Sequence, residues 1–337
     1  ASGYQLLGGS VLPRNVDREK MLGYQAWQQP VGIASSNFTA VHTHDFSTAW
    51  QSRVSASYSR SVIDDNVAFA YGCYYAESCW DGSMPGNYFA PNGDYDIYDY
   101  RSPDDTRRNR QLRAELRGQF STGSVTHQLT FGADYFDRSV DKRRNVNEYV
   151  GTGNIHDKEV PPFAPSPKEP GPSVRRLHSK QKALFVLDRV SLSDDWQWLA
   201  GGRFVQLDER AWDKRGNPER ESRVSRFLPQ TAVIWSADAQ LNVYASYVRG
   251  ISLGQEAPFW TSNDGEFLPS VLSRQLEVGT KYAPNDALTL SAALFRISRP
   301  FQYAKPDASD AGYTFVEEGR QPHTGLELGA RGPITER

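Results

Sequence analysis

Two cysteines and a crowd of aromatic side chains are the residues here whose types and spacing could do chemistry. Between Asp64 and Asp105 the sequence places Tyr71, Tyr74, Tyr75, Trp80, Tyr88, Phe89, Tyr95, Tyr98 and Tyr100, with Cys73 and Cys79 among them. Phe259 and Trp260 form a second, smaller aromatic pair. Rigid rings grip a bulky, partly aromatic or amide-like ligand by stacking, and phenol hydroxyls can hold its oxygens. Tyr74, Tyr75, Trp80, Tyr88, Tyr95, Tyr98, Phe259 and Trp260 are therefore the candidate ligand-binding residues. Rings that only pack loops against one another would read the same way. The closely spaced Cys73 and Cys79 suggest a small disulfide-closed loop made in an oxidising compartment, with two unrelated thiols as the plainer reading.

The rest of the reactive inventory is thin. His42 and His44 share one face of a candidate strand, but no further ligand has matching spacing, so a metal centre is not expected. Gly151-Thr-Gly153 lacks the strand-to-helix context of a phosphate loop. Asp64-Asp65 and Asp104-Asp105 sit where turns favour acids. No nucleophile elbow or zinc signature is present, and the chain is not expected to be an enzyme.

The elements that position these residues read as strands. Hydrophobic residues reach only 38% of the 337 positions while 17 are Tyr, a mixture suited to strands and turns rather than helices. Mean hydropathy is −0.62, and no apolar run approaches the roughly 18 residues of a spanning helix. A membrane barrel escapes that exclusion, because its strands need an apolar residue only at alternate positions. The formal charge of −2 argues against a nucleic-acid partner.

Period-2 patterning predicts about eleven strands, near residues 37–45, 49–62, 107–120, 125–139, 179–191, 196–209, 224–236, 240–250, 272–282, 287–299 and 313–331. Leu112, Ala114, Leu116 and Phe120 oppose Gln111, Arg113, Glu115, Arg117 and Gln119, so this strand has one apolar and one charged face. Trp50, Val54, Ala56 and Tyr58 oppose Gln51, Arg53, Ser55 and Ser57 in the same manner. Short links alternate with long ones, the long ones predicted at 62–106, 140–178, 210–223, 251–271 and 300–312. In an up-and-down meander this order gathers the short turns at one end and the long loops at the other. Outer-membrane barrels have that asymmetry, whereas a soluble sandwich has no reason to keep it. Trp50, Phe120, Trp196, Trp198, Trp235 and Tyr282 fall beside the short turns, as an interfacial girdle would.

Several segments resemble the TonB-dependent siderophore receptor family. Phe120-Ser-Thr-Gly-Ser-Val-Thr-His-Gln-Leu-Thr-Phe-Gly-Ala-Asp134 resembles the family's "F-x-T-G-x-x-x-H-x-L-x-x-G-x-D" hairpin. Leu199 to Phe204, Val243 to Arg249 and Ser273-Arg-Gln-Leu-Glu-Val-Gly-Thr-Lys-Tyr282 resemble further family strands in the right order, as do Leu290 to Ile297 and Phe315 to Leu328. Pro322 stands where the family more often carries Arg, so a bulge or an interrupted ladder is expected there.

The resemblance implies an all-β, antiparallel up-and-down transmembrane barrel, present over residues 1–337 as about half of a 22-stranded whole. Short periplasmic turns, long extracellular loops and a location in the bacterial cell outer membrane come with it. The family's N-terminal plug and closing strands are not recognised, so the chain is expected to be part of a longer protein with one barrel per chain. It further implies a receptor that binds a ferric siderophore at its loops, takes no directly bound cofactor, contacts outer-membrane lipid, and imports its ligand through a TonB energy-transducing complex acting on the plug. A passive porin-like or surface-binding barrel is the alternative.

Overall fold

The computed structural model describes residues 6–80 and 86–333. Twelve antiparallel strands form it: β1 (Gly32–Asp45), β2 (Trp50–Ala70), β3 (Asp94–Thr122), β4 (Val125–Arg143), β5 (Val146–Asn154), β6 (Ser173–Ser191), β7 (Trp196–Trp212), β8 (Pro218–Ser236), β9 (Leu241–Ser252), β10 (Val271–Asn285), β11 (Leu288–Pro306) and β12 (Tyr313–Arg331). Each strand pairs with its neighbours in sequence, except that β5 leaves the path and pairs with β3. The only helix among the described residues is a single 3-10 turn, Glu77–Cys79.

Four of the five short turns share one chemical device. Ser47 Oγ accepts from the Ala49 and Trp50 amides, and Ser193 Oγ from those of Asp195 and Trp196. Asp238 Oδ1 accepts from Gln240 and Leu241, and Asn285 Oδ1 from Ala287 and Leu288. A short polar side chain thus satisfies the amides that the reversing backbone leaves open. The fifth turn, between Thr122 and Val125, uses Gly123 at φ +62°, where a side chain would be strained.

Strands run further than the alternation predicts. β3 alone has 29 residues, whereas a strand tilted about 45° needs only roughly 11 to cross a bilayer. Its predicted start near 107 moves back to Asp94, so Tyr95 and Tyr98 belong to a strand, not to a loop. The predicted long links shrink accordingly: 62–106 becomes 71–93, 210–223 becomes 213–217, and 300–312 becomes 307–312. β5 lies inside what the sequence reads as a loop. Pro322 is paired with Ser298 without a break, and the irregularity falls instead between Pro300 and Gln302, opposite Gly319 at φ +71°. Proline costs nothing where the ladder bond on its side is not required; the extra residue is absorbed where glycine can take the left-handed conformation.

The chain forms two compact units. The first comprises residues 1–36, 60–108 and 140–176, and the second residues 37–59, 109–139 and 177–337. In the second unit the usual placement of apolar and charged residues is inverted. Leu184, Leu276, Leu294, Leu326 and Leu328 are exposed, while Glu115, Asp134, Ser179 and Glu209 are buried on the opposite face. Trp196 and Trp235 stack at 6.2 Å on the apolar side beside the short turns. Trp50 lies flat against Gly118, where any Cβ would collide with the indole. A wall with grease on one side and shielded charge on the other matches hydrocarbon outside and water within.

Leu184, 64% exposed and near the middle of β6, tests this placement. Leu184→Arg is expected to destabilise the folded barrel in vesicles by about 2–4 kcal/mol, read by denaturant titration. A change close to zero would place Leu184 in water.

Candidate functional site

In the first unit, three aspartates at the start of β3 tie down the surrounding segments. Asp94 accepts from Ser78 Oγ at 2.5 Å, from Asn92 Nδ2 at 2.8 Å and from Asn154 Nδ2 at 2.7 Å. Burial works against the charge of Asp94, but these donors outweigh it and hold its carboxyl below the ordinary value. Asp96, fully buried, accepts from the amides of Tyr74 at 2.6 Å and Tyr75 at 3.2 Å. Asp99, equally buried, accepts from the Ser166 amide at 2.9 Å and pairs with Arg101. The segment before β1 closes the other side. Gln25 bonds Phe163 N and Pro161 O, and the Trp27 indole donates to Phe163 O at 2.8 Å. Beneath lies an apolar core of Ala68, Phe89, Tyr95, Ile97 and Ile155.

Cys73 and Cys79 are joined by a disulfide, with Cα atoms 5.4 Å apart. The bond closes a short ring around the 3-10 turn and packs, buried, against Ala90. Together with Asp96, the two sulfurs are the one set of three metal-type donors found close together among the described residues. Because the sulfurs are bonded to each other, the set does not read as a metal centre.

This ring and the strands beside it present a continuous aromatic surface. Tyr75 stacks on Tyr149 at 4.6 Å, and Tyr98 lies 6.3 Å from both. Phe69 stacks on Tyr98 at 5.7 Å, and Tyr71 joins Tyr74 at 6.4 Å. From Tyr71 to Tyr100 the sequence holds no Lys, Arg or His, while Glu77, Asp81, Asp94, Asp96 and Asp99 are all acidic. Burial, then the neighbouring Tyr71 and the Asp96 carboxylate, pushes the Tyr74 phenol up to about 12. Tyr98 is pushed up as well, by burial first and by Asp96 next. Asp96 itself is raised by burial, which the amides of Tyr74, Tyr75 and Ala76 offset only in part. These phenols stay protonated at neutral pH and act as hydrogen-bond donors, not as phenolate ligands.

The sequence candidates fare differently. Tyr75 and Trp80 are exposed, and Tyr74, Tyr88 and Tyr98 are partly so. Tyr95 is completely buried in the apolar core, which corrects its expected place on a ligand-facing loop: the residue sits on the core side of an extended strand. Phe259 and Trp260 belong to the second unit, on the link 253–270, where Trp260 packs edge-on against Tyr313 at 5.5 Å. Tyr149 and Phe69, missed by sequence reasoning, complete the surface. Phe69 lies on β2 past its predicted end, out of phase with Trp50, Val54 and Ala56, and Tyr149 lies on the unforeseen β5. His42 and His44 are exposed on β1, with His44 edge-on to Phe46 at 4.7 Å.

The second unit carries a separate polar recess of about 740 Å³. Glu115 bridges Arg113 at 2.8 Å and Arg117 at 2.5 Å, and Arg203 meets Asp134 at 2.6 Å. Arg113 also lies 4.3 Å above the Phe185 ring. These pairs keep charge compensated on a shielded, hydrophilic face.

Such a wall, with girdled apolar strands, capped turns and elaborate extensions beyond the bilayer, defines an outer-membrane barrel of the receptor type. Residues 3–335 match the family described as "TonB dependent receptor-like, beta-barrel", and the chain belongs to that family. It is 22% identical over 307 residues to the "Ferrichrome outer membrane transporter/phage receptor" of Escherichia coli K12, covering 87% of this chain and 39% of that protein. It is 25% identical over 221 residues to the "Ferrioxamine B receptor" of Salmonella typhimurium LT2, covering 65% and 30%. The chain thus spans well under half the length of these curated relatives. Among solved structures, the pyoverdine outer membrane receptor FpvA of Pseudomonas aeruginosa PAO1 superimposes with a TM-score of 0.74 at 18% identity, over 99% of this chain and 46% of that one. BauA, the ferric preacinetobactin receptor of Acinetobacter baumannii, gives 0.65 at 23%, over 91% and 43%. The fold is that of these barrels, and its place is the outer membrane of Gram-negative bacteria.

Two outcomes follow from the geometry around Asp96. Asp96→Ala leaves two inward amides without an acceptor, at about 1–3 kcal/mol each, and is expected to make the 73–79 ring protease-sensitive, whereas Asp96→Asn keeps an acceptor and the resistance. The second concerns pH. The folded value of Tyr74 lies above its ordinary 10, so its contribution to stability is complete below pH 10 and is lost as pH rises through about 12. Ultraviolet titration should show a late phenolate step near pH 12 whose amplitude Tyr74→Phe reduces by one group, since burial pushes Tyr95 up to about 12 as well.

Proposed function

We propose that the protein to which this chain belongs binds a ferric siderophore at the aromatic surface of the first unit and imports it with energy delivered by a TonB complex. The observation that supports the binding role is the linked set Tyr71, Tyr74, Tyr75, Tyr98 and Tyr149, held by a disulfide ring and three aspartates. Preorganised rings lose little entropy when a rigid chelate settles on them. The Tyr74 and Tyr98 hydroxyls are committed to Asn87 and Asp96, which fixes their rings, so the chelate is gripped by stacking while the iron keeps its own ligands. The mechanical step belongs to a plug in the remainder of the protein. The outer edges of β1 and β12, unpaired among the described strands, pair in this reading with the rest of the barrel.

The charge of the surface points to the kind of chelate. Three hydroxamate groups neutralise ferric iron, whereas three catecholates leave the complex strongly anionic. A stretch of thirty residues without one basic side chain repels the latter and accepts the former. The relatives whose names specify ferrichrome and ferrioxamine B are consistent with this reading.

Uptake of radiolabelled ferric chelates into iron-starved cells, with the full-length gene deleted and then restored, tests the proposal. Restoration should return uptake of a trihydroxamate complex and not of a tris-catecholate. Tyr75→Ala and Trp80→Ala are each expected to weaken binding about fivefold, in line with roughly 1 kcal/mol for each stacked ring. If the restored strain takes up no chelate at all, the import reading falls.

A further inference from the structure

The apolar face of the second unit carries a row of arginines. Across β9 and β10, Tyr247 stands opposite Leu276, and the next pair on the same face is Arg249 opposite Arg274. Like charges facing each other across a ladder destabilise it unless something compensates them. The row continues over the next two strands. Arg296 of β11 faces Leu276, and Arg320 of β12 faces Pro300, both in the alternation that leaves Leu294, Leu326 and Leu328 exposed. Arg249, Arg274 and Arg296 are exposed. Arg320 is held in place, donating to Ser298 Oγ and O at 3.0 Å and to Leu272 O at 3.3 Å.

No carboxylate pairs with any of the four among the described residues. The nearby Glu318 is engaged by Lys305 at 2.7 Å, and Glu317 by Gln302 at 2.9 Å. Arg274 stands eight residues along β10 from the girdle residue Tyr282, roughly 27 Å of strand, at the margin of the apolar band away from the short turns. A guanidinium on a lipid-facing surface extends along its stem to the headgroup layer and there meets phosphate, for which its planar fork is suited. Four neighbouring strands span about 14 Å, enough for more than one phosphate.

We infer that Arg249, Arg274, Arg296 and Arg320 form a docking strip for the phosphate groups of membrane lipid headgroups, on the outer surface of the barrel and separate from the chelate site. The lipid supplies the negative charge that the protein omits from this row.

The full-length protein, folded in vesicles of phosphatidylcholine alone or mixed with phosphatidylglycerol, provides the test. Removing one of two facing cations should help where choline offsets every headgroup phosphate and harm where uncompensated phosphates are enriched. Arg274→Gln is therefore expected to raise the denaturant midpoint in phosphatidylcholine and to lower it in the anionic mixture. In native mass spectrometry the wild type should retain phosphatidylglycerol about tenfold over phosphatidylcholine, and the Arg249→Gln/Arg274→Gln pair should lose that preference while Arg→Lys replacements keep part of it. The same sign of midpoint change in both vesicles, or retention unaffected by the double replacement, would overturn the inference. Full displacement of the retained lipid by millimolar inorganic phosphate would also overturn it, by making free phosphate the ligand.

Discussion

Inside a bilayer every backbone amide and carbonyl must find a protein partner, and the rest of this molecule follows from that demand. Only a sheet whose strands pair edge to edge can meet it without helices. Pairing between sequence neighbours then fixes the alternation of faces, since a slip of one residue would turn Leu276 inward and Glu277 outward. The capped turns are the local form of the same requirement. Ser47, Ser193, Asp238 and Asn285 accept two amides each, so the amides opened by each of these reversals are satisfied within the turn itself.

The membrane-crossing part was legible in the sequence because its signal is simple. Leu112 to Gln119 alternate without interruption, and Ser or Asp marks each short turn. The parts beyond the bilayer were not legible, for a physical reason. Once a strand leaves hydrocarbon, nothing requires its outer face to be apolar, so β3 between Asp94 and Arg107 loses its period while its backbone stays extended. β5 is disguised further by Gly151 and Gly153, chosen because Phe163 and Tyr95 press on them. The aromatic candidates were found by composition, which cannot separate a ring facing solvent from one facing a core. Tyr95 and Tyr98 lie three residues apart and take opposite parts, separated by a register shift between Ile97 and Tyr98.

Aspartate does two jobs in the first unit. Asp94, Asp96 and Asp99 anchor three different segments to one strand, and their charge colours the surface those segments build. A single residue type therefore sets both the rigidity and the electrostatic sign of the proposed binding surface, so in that proposal a change of ligand charge class would need new anchors as well as new contacts. The arginine-rich recess of the second unit is balanced by Glu115 and Asp134 and stays structurally independent of that choice.

The self-contained turns carry a kinetic corollary. Because each reversal is written into two to four adjacent residues, a hairpin can close before its neighbours exist, and the sheet can grow by adding one ready-made hairpin after another. Each step then closes one hairpin between sequence neighbours and not the whole chain, which limits the loop-closure entropy of that step. Lengthening a distal loop adds only about 0.6 kcal/mol per doubling to that entropy, so such a scaffold tolerates wide variation in what its strands hold up while assembling by one unchanged route.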